Sequence, residues 1–272
     1  MLSPIVFVGI TPHPPLLIPE VGGTRIEQVA ESQRALREFS RRLVDAQPQT
    51  VVVISPHSPL DPRVFTARST AVLAGDFREF SAPGVKLAFP NDLDMVEAIK
   101  HSASLESVEL RELDRDYQLD HGALVPLYYL HEAGWRGPIV SVGFTVQSNG
   151  KHLAFGRAIA GAAKAINRPI ALVASGDLSH RLIINGPYEY EPTAHLFDEQ
   201  VVDAIVRGDA SGVLDIDPDL RNRAGECGYR SIVIALGALD QNPRDHQVLS
   251  YEGPFGVGYM VAVLADANRK DA

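Results

Sequence analysis

Two short apolar, β-branched runs near the start of the chain each end at a histidine flanked by proline. Residues 4–10 lead into a Pro-His-Pro-Pro turn that contains His13, and residues 50–55 lead into a Ser-Pro-His turn that contains His57. Such runs predict buried parallel strands, and the prolines stop each strand at its tip. Because open α/β sheets hold their ligands just beyond the carboxyl ends of strands, His13 and His57 are predicted to share one metal or catalytic centre.

Predicted strands and helices alternate along the rest of the chain, which is typical of a largely parallel, mixed central sheet covered by helices on both faces. Thr24 is predicted to cap a long helix that ends near Ala46, and Asn91 or Asp92 to cap another. Residues 80–90 are predicted to form a loop. Further strands are predicted at residues 138–144, 169–174 and 257–264. No repeat, low-complexity segment or linker is found, so the sequence predicts a single α/β domain over residues 1–272.

Composition narrows the class of protein. The chain has 272 residues, of which 45% are hydrophobic, so it can bury a full core. Its formal net charge of −9, without any basic stripe, argues against nucleic-acid binding. The N-terminus lacks a basic segment and the chain lacks an 18-residue apolar run, so neither a signal peptide nor a membrane span is predicted. One cysteine, Cys227, fits a reducing cytosol, and a cytoplasmic protein is expected.

Four of the nine histidines lie in turns marked by proline, glycine or aspartate, and these are predicted to carry chemistry. They are His13, His57, His121 and His180. Several imidazoles gathered at strand ends are what a metal or acid–base centre requires. The other five are expected to be surface or capping residues. They are His101, His131, His152, His195 and His246.

The identity of a third metal ligand stays open at this point. Two histidines and one carboxylate form the facial arrangement that suits Fe(II). The carboxylate candidates are Glu226, Glu252 and Asp177. Glu226 precedes an apolar helix, so the alternative is a charge placed at a helix N-terminus. Cys227 is a soft ligand that favours zinc or copper, with a small buried apolar side chain as the alternative.

Two further turns supply candidates for proton transfer. Asp177 and His180 lie three residues apart, and a hydrogen bond between them would orient His180 as a general base. A hydrolase triad with Ser175 is disfavoured, because no Gly-X-Ser-X-Gly elbow is present and one short turn cannot hold all three residues in the required geometry. His121, between Asp120 and Gly122, is predicted to donate a hydrogen bond to dioxygen or to a substrate oxygen.

Five motifs in this order resemble the class III extradiol ring-cleavage dioxygenases, the LigB-type catalytic subunits. The motifs are Pro-His-Pro-Pro at 12–15, Ser-Pro-His-Ser-Pro at 55–59, Asp-His-Gly-Ala-Leu-Val-Pro-Leu at 120–127, Ser-Gly-Asp-Leu-Ser-His at 175–180 and Gly-Glu-Cys-Gly at 225–228. The resemblance extends from about Pro4 to Leu264.

This resemblance implies a non-haem Fe(II) enzyme that cleaves a catechol-like aromatic ring with O2. It implies that His13 and His57 bind the iron together with Glu226, that His180 is the acid–base residue, and that His121 is a donor near dioxygen. It also implies a homo-oligomer, with a small second subunit or an AMMECR1-type partner as possible companions.

The run Pro-Pro-Leu-Leu-Ile-Pro-Glu and residues 251–255 look most similar to LigB-like proteins related to Memo and linked to AMMECR1 domains. In Memo-like proteins a cysteine lies roughly where Cys227 does, and dioxygenase activity does not follow from the fold. Two alternatives therefore stand: a Memo-like metal-binding protein that acts through a partner, and a hydrolase that depends on zinc or another divalent metal. The third ligand is Glu226, Cys227 or Glu252.

Overall fold

The computed structural model describes residues 4–114 and 118–269. Predictions that concern residues 1–3, Asp116, Tyr117 and the polar tail beyond 269 lie outside the described residues. The strands are β1 (Ile5–Thr11), β2 (Thr50–Ser55), β3 (Phe65–Arg68), β4 (Val72–Phe77), β5 (Ala82–Pro90), β6 (Leu110–Leu113), β7 (Ile139–Gly143), β8 (Ile170–Ser175), β9 (Gln247–Glu252) and β10 (Tyr259–Asp266). The helices are α1 (Pro19–Gly22), α2 (Ala30–Asp45), α3 (Leu93–Leu105), α4 (His121–Glu132), α5 (Asn149–Ala165), α6 (Ala194–Val206), α7 (Ala210–Leu214), α8 (Pro218–Ala224) and α9 (Tyr229–Ala238).

Eight strands of the described chain form one mixed sheet in the order β6-β3-β7-β2-β8-β1-β10-β9. The four central strands β7, β2, β8 and β1 are parallel, whereas β10 and β9 add antiparallel at one side. Ala174 of β8 is paired with Ile10 of β1 and with Ile54 of β2. Because these three strands are in register, the residues that follow them emerge together at one edge of the sheet. The predicted largely parallel, mixed sheet is confirmed.

Apolar side chains are buried on both faces of this sheet, which explains why its central strands are continuous apolar runs in the sequence. In β8, Leu172 and Ala174 point into the core that contains α3, α5 and α9. Ala171 and Val173 point into the opposite core, which contains α2, α4 and the two-stranded sheet of β4 and β5. The central strands are therefore held rigidly between two layers, and so are the turns that follow them.

The prediction that residues 80–90 form a loop is wrong. Residues 82–90 form β5, which pairs antiparallel with β4. Leu87 and Phe89 alternate inward against the core while their neighbours are exposed. Pro90 is tolerated because it is the last residue of the strand, where a missing N–H costs little.

The predicted long helix that Thr24 would cap is confirmed only from Ala30 onward. Residues Gly23–Val29 form a tighter 3₁₀ segment, and no side chain caps the start of α2 locally. A distant carboxylate takes this role, because Glu252 on β9 accepts a hydrogen bond of 2.8 Å from the backbone N–H of Ser32. The predicted cap by Asp92 is confirmed, since its side chain accepts the N–H of Met95 at the start of α3.

Candidate metal centre

Three turns at the carboxyl edge of the central strands and the start of one helix build the candidate site. His13 lies two residues beyond β1, His57 two residues beyond β2 and Asp177 two residues beyond β8. His121 is the first residue of α4, whose start is capped by the Asp120 carboxylate. The site therefore rests on the rigid centre of the sheet.

The structure brings three imidazoles together at this edge. His13 Nε2 and His57 Nε2 are 3.1 Å apart. The ring centroid of His121 is 5.5 Å from that of His13 and 4.1 Å from that of His57. Two nitrogens that bind one metal ion at about 2.1 Å each lie roughly 3 Å apart. The spacing of the His13 and His57 nitrogens therefore fits a shared metal ion.

A second group of possible ligands also contains His13. Its Nε2 lies 3.6 Å from Cys227 Sγ and 3.7 Å from Asp177 Oδ2. The other carboxylate oxygen of Asp177 accepts a hydrogen bond of 3.0 Å from the His13 backbone N–H, and Cys227 Sγ accepts one of 3.2 Å from the Asp177 N–H. The donor atoms in each group lie within 4.8 Å of one another. His13 is thus the residue common to both groups.

Hydrogen bonds around Ser175 define the tautomer of His13. The Ser175 hydroxyl donates to the carbonyl oxygen of Gly122, so it is an acceptor towards His13 Nδ1, which lies 2.9 Å away. Nδ1 then carries the ring proton, and Nε2 presents its lone pair to His57 and Cys227. An outer partner that fixes a histidine in this way is typical of metal sites.

Burial keeps the imidazoles of the site neutral. It lowers the pKa of His13 well below its ordinary value of 6.5, and nearby charge on His57, His121 and His180 lowers it further. Burial, followed by charge on His57, also lowers the pKa of both His121 and His180 to about 4. At neutral pH these rings are unprotonated, which is the form that binds a metal or accepts a proton.

Burial acts in the opposite direction on the acidic groups. It raises the pKa of Asp177 to about 7, with a smaller contribution from charge on Asp198. It raises the pKa of the Cys227 thiol well above its ordinary value, and charge on Asp177 adds to this. A bound cation would reverse both preferences, because its charge stabilises carboxylate and thiolate.

His180 lies beside Asp177 and Cys227, but the hydrogen bond predicted between His180 and Asp177 is not formed. Its Nε2 is 3.9 Å from Asp177 Oδ2 and 3.8 Å from Cys227 Sγ. The first distance is too long for a hydrogen bond. The His180 backbone N–H instead donates to Ala224 O at 3.0 Å, and its ring stacks on Tyr188.

Glu226 and Glu252, two of the carboxylates considered as ligands, have other partners. Glu226 Oε2 accepts a 2.7 Å hydrogen bond from the N–H of Tyr229 at the start of α9, and its Oε1 is 3.9 Å from Arg221 Nε. The Glu252 carboxylate accepts a hydrogen bond from the backbone N–H of Ser32 at the start of α2. Among the described residues, neither glutamate joins either group of possible ligands. Both carboxylates lie where helix N-termini favour negative charge.

Asp120 is the centre of a hydrogen-bond network that sequence reasoning did not anticipate. Its carboxylate accepts the hydroxyls of Ser55 and Ser58, and it lies 3.5 Å from the guanidinium of the buried Arg68. Ser55 Oγ also accepts the His57 N–H at 3.2 Å. The network links the turn after β2 to the start of α4, and so it fixes His57 relative to His121. No local sequence signal identified Arg68, which lies in a weakly patterned segment.

Nearly the whole chain matches one protein family. A family model described as the catalytic LigB subunit of aromatic ring-opening dioxygenase matches residues 8–262. The chain belongs to this family. Its membership confirms the resemblance seen in the sequence motifs. In the described part of this LigB-family chain, no helix has the length and apolar character needed to cross a bilayer.

The chain is also similar to one curated protein and to one solved structure. Protein CA_C1420 of Clostridium acetobutylicum is 31% identical over 263 residues, which are 94% of this chain and 56% of that protein. The chain thus spans little more than half the length of this relative. The crystal structure of uncharacterized protein JW3007 from Escherichia coli K12 has a TM-score of 0.61 at 20% identity, and the match covers 85% of this chain and 90% of that one. This second likeness shows that the two share a fold.

Proposed function

We propose that this protein is a non-haem Fe(II)-dependent extradiol dioxygenase that opens a catechol-like aromatic ring with O2. The observation that carries the proposal is the 3.1 Å approach of His13 Nε2 to His57 Nε2, with His121 beside them. This arrangement occurs at the carboxyl edge of the sheet in a chain of the aromatic ring-opening family. A small aromatic substrate and O2 are then the partners of the site, in a cytoplasmic homo-oligomer.

In this proposal His13 and His57 hold the metal, and His121, which offers a ring nitrogen within 4.8 Å of theirs, is the third donor. Imidazole is a suitable ligand for iron as well as for zinc. The role that the sequence resemblance gave to Glu226 is transferred to His121, because the Glu226 carboxylate is engaged at the start of α9. When bound, the metal supplies Lewis acidity and a template that orients the reactants.

His180 carries the proton transfer. Its pKa of about 4, lowered mainly by burial, leaves the ring unprotonated at neutral pH. Its Nε2 is therefore free to accept the proton of a substrate hydroxyl that a bound metal would acidify, and the low pKa favours return of that proton later in the reaction. A positioned group of this kind contributes about 10²–10⁴-fold to a rate.

The decisive experiment loads the purified protein with Fe(II) under anaerobic conditions, quantifies the bound metal and measures oxygen uptake with a panel of catechols. We expect uptake coupled to formation of a yellow ring-opened product. Tightly bound zinc or copper, with no uptake across the panel, would contradict the proposal.

A second candidate function is favoured by the 3.6 Å distance between Cys227 Sγ and His13 Nε2. A thiolate beside an imidazole suits zinc or copper. The protein would then be a Memo-like metal-binding protein that acts through a partner, such as an AMMECR1-type protein, or a metal-dependent hydrolase. Loss of metal in Cys227→Ala but not in His121→Ala would favour this candidate over the first.

A further inference from the structure

The segment that directly follows His180 is a loop with a fixed base. It comprises residues 181–191 and is called the 181–191 loop below. Its ends meet, because the Glu191 N–H donates to Arg181 O at 3.1 Å, and the Leu182 N–H donates to Gly256 O at 3.0 Å. A Cβ atom at Gly256 would lie 2.7 Å from Ile183 Cγ1, so Ile183, the first residue after the base, packs closely against the Gly256 backbone.

The tip of the 181–191 loop, in contrast, is weakly held. In the described part of the chain, residues 183–190 make no backbone–backbone hydrogen bond. Ile184, Tyr188 and Tyr190 are 69%, 51% and 41% exposed. Segments with few buried contacts and few hydrogen bonds open at a low free-energy cost. Compact loops whose ends lie close together are often the moving parts of enzyme sites.

One ring contact connects this tip to the candidate metal centre. The Tyr188 ring lies almost parallel to the His180 imidazole, with 5.0 Å between centroids and 17° between planes. This distance is within the range of stabilising aromatic pairs. The His180 side chain is only 17% exposed, whereas Tyr188 itself is half exposed. Tyr188 therefore covers a face of the ring that would otherwise meet solvent.

A second aromatic side chain contacts another histidine of the centre. The ring of Phe80 meets His121 edge-on, with 5.3 Å between centroids. His121 and His180 are thus each in contact with an aromatic ring. Aromatic surfaces of this kind favour a flat, apolar ligand over an extended polar one.

We propose that the 181–191 loop is a lid over His180 and that Tyr188 determines which aromatic substrates fit beneath it. Selection depends on the size of the substituent that the substrate ring carries on the side facing His180. In the closed lid, Tyr188 covers His180 and excludes water. A bulky substituent on the substrate must compete with the Tyr188 ring for the same space, so small catechols are preferred. The choice of an aromatic substrate rests on the proposed function, whereas the covering of His180 does not.

The covering of His180 is tested without any turnover. Diethyl pyrocarbonate modifies unprotonated imidazoles, and mass spectrometry resolves the rate at each histidine, with the exposed His101 as the internal reference. We expect Tyr188→Ala to raise the rate at His180 several-fold. Tyr188→Phe, which keeps the ring, and Tyr190→Ala, a matched exposed tyrosine of the same loop, should leave that rate unchanged. Equal rates at His180 in the wild type and in Tyr188→Ala would overturn the lid.

Selection by size is tested on the iron-loaded protein with catechol and with a tert-butyl-substituted catechol. We expect Tyr188→Ala to raise kcat/KM for the bulky substrate relative to catechol, and Tyr190→Ala to leave this ratio unaltered. An unaltered ratio in Tyr188→Ala would overturn the selecting role. If Tyr188→Ala exposes His180 but no catechol consumes oxygen, the lid is supported, and both the selecting role and the proposed reaction are overturned.

Discussion

At the scale of single residues, the chemistry of the site depends on which nitrogen of each histidine faces the centre. Ser175 holds the Nδ1 side of His13, so that His13 Nε2 faces His57 Nε2 at 3.1 Å. His180 Nε2 lies at the same centre, 3.8 Å from the thiol of Cys227 and 3.9 Å from Asp177 Oδ2. Substitution of His13 and substitution of His180 are therefore expected to have different effects on metal binding and on turnover.

We predict that His13→Ala loses the metal, whereas His180→Ala retains it and loses turnover by about 10²–10⁴-fold, the contribution of a general acid–base group. Metal content by elemental analysis and oxygen uptake on the same samples separate the two effects. The exposed His101 provides the control, since His101→Ala should change neither quantity. Full iron content with full activity in His13→Ala would refute the assignment of His13 as a ligand.

Glu226 is expected to act on stability rather than on the metal. Its carboxylate accepts the Tyr229 N–H at the start of α9, and loss of such a capping acceptor costs about 1 kcal/mol. We predict that Glu226→Ala lowers the free energy of unfolding in urea by this amount. Glu226→Gln keeps an acceptor oxygen and removes a carboxylate whose pKa is raised by burial, so it should not lower the free energy of unfolding. Both variants should bind the same amount of metal as the wild type. Loss of metal in Glu226→Gln would restore the ligand role that the family resemblance implies.

These residues show what the sequence can predict about a site. The turns that contain His13 and His57 were recognised because proline after an apolar run marks the carboxyl end of a strand, and parallel strands end at one edge. The direction of a carboxylate is not encoded in this way. Glu226 and Asp177 both lie in glycine-containing turns, and only the packing of α9 against the site shows that Glu226 faces a helix N-terminus. The sequence did not identify Tyr188 and Arg68, because their contacts form only in the folded chain and leave no local sequence pattern.

At the scale of secondary-structure elements, prediction succeeded where an apolar run was continuous or a capping residue was local. It failed where the alternation was interrupted or where the residue that satisfies a helix start is distant in sequence. The central strands and α3, with its Asp92 cap, were found at nearly their observed positions. Strand β5 was missed because its inward alternation is interrupted by Pro83 and Gly84. The start of α2 was misplaced because its N-terminal N–H groups are satisfied by Glu252, which is distant in sequence.

The packing of α5 against α9 depends on glycine at the contact. A Cβ at Gly156 would lie 2.1 Å from Ile234 O on α9, so the two backbones could not keep their separation. We predict that Gly156→Ala destabilises the protein by about 1–3 kcal/mol, as other overpacked sites do. Gly161, on the same helix, has only Ser102 atoms at 3.8 Å or more, so Gly161→Ala should stabilise by roughly 0.5–1 kcal/mol. The measurement is the free energy of unfolding of both variants in urea. Equal changes in the two variants would show that the helices do not pack through Gly156.

At the scale of the whole molecule, the buried ionisable groups make stability depend on pH in two opposing ways. Burial lowers the pKa of the site histidines below 6.5. In the metal-free protein their contribution to the free energy of unfolding is therefore present above pH 6.5 and is lost as the pH falls towards 4. Burial raises the pKa of Asp177 and Asp198, so their contribution is present below the ordinary value of 3.8 and is lost as the pH rises through about 6–7. A single substitution is needed to separate the two effects.

Asp198 on α6 allows this separation, because it is fully buried and lies outside both groups of possible ligands. Its carboxylate accepts the Ser179 N–H at 2.7 Å and the Tyr251 hydroxyl at 2.7 Å. Burial nevertheless raises its pKa from 3.8 to about 6. Above that pH the folded protein holds an ionised buried carboxylate, at a cost of about 3 kcal/mol for a shift of roughly two units.

We therefore predict that Asp198→Asn gains stability relative to the wild type as the pH rises from 4 to 7.5, by up to about 3 kcal/mol. The asparagine carbonyl still accepts the Ser179 N–H, and its amide group donates to the Tyr251 oxygen, so the packing is retained. The measurement is the free energy of unfolding in urea of the metal-free protein at both pH values. Asp203→Asn, at an exposed position of the same helix, is the matched control and should show no such gain. A constant difference between Asp198→Asn and the wild type at the two pH values would show that Asp198 ionises in the folded protein as readily as it does in water.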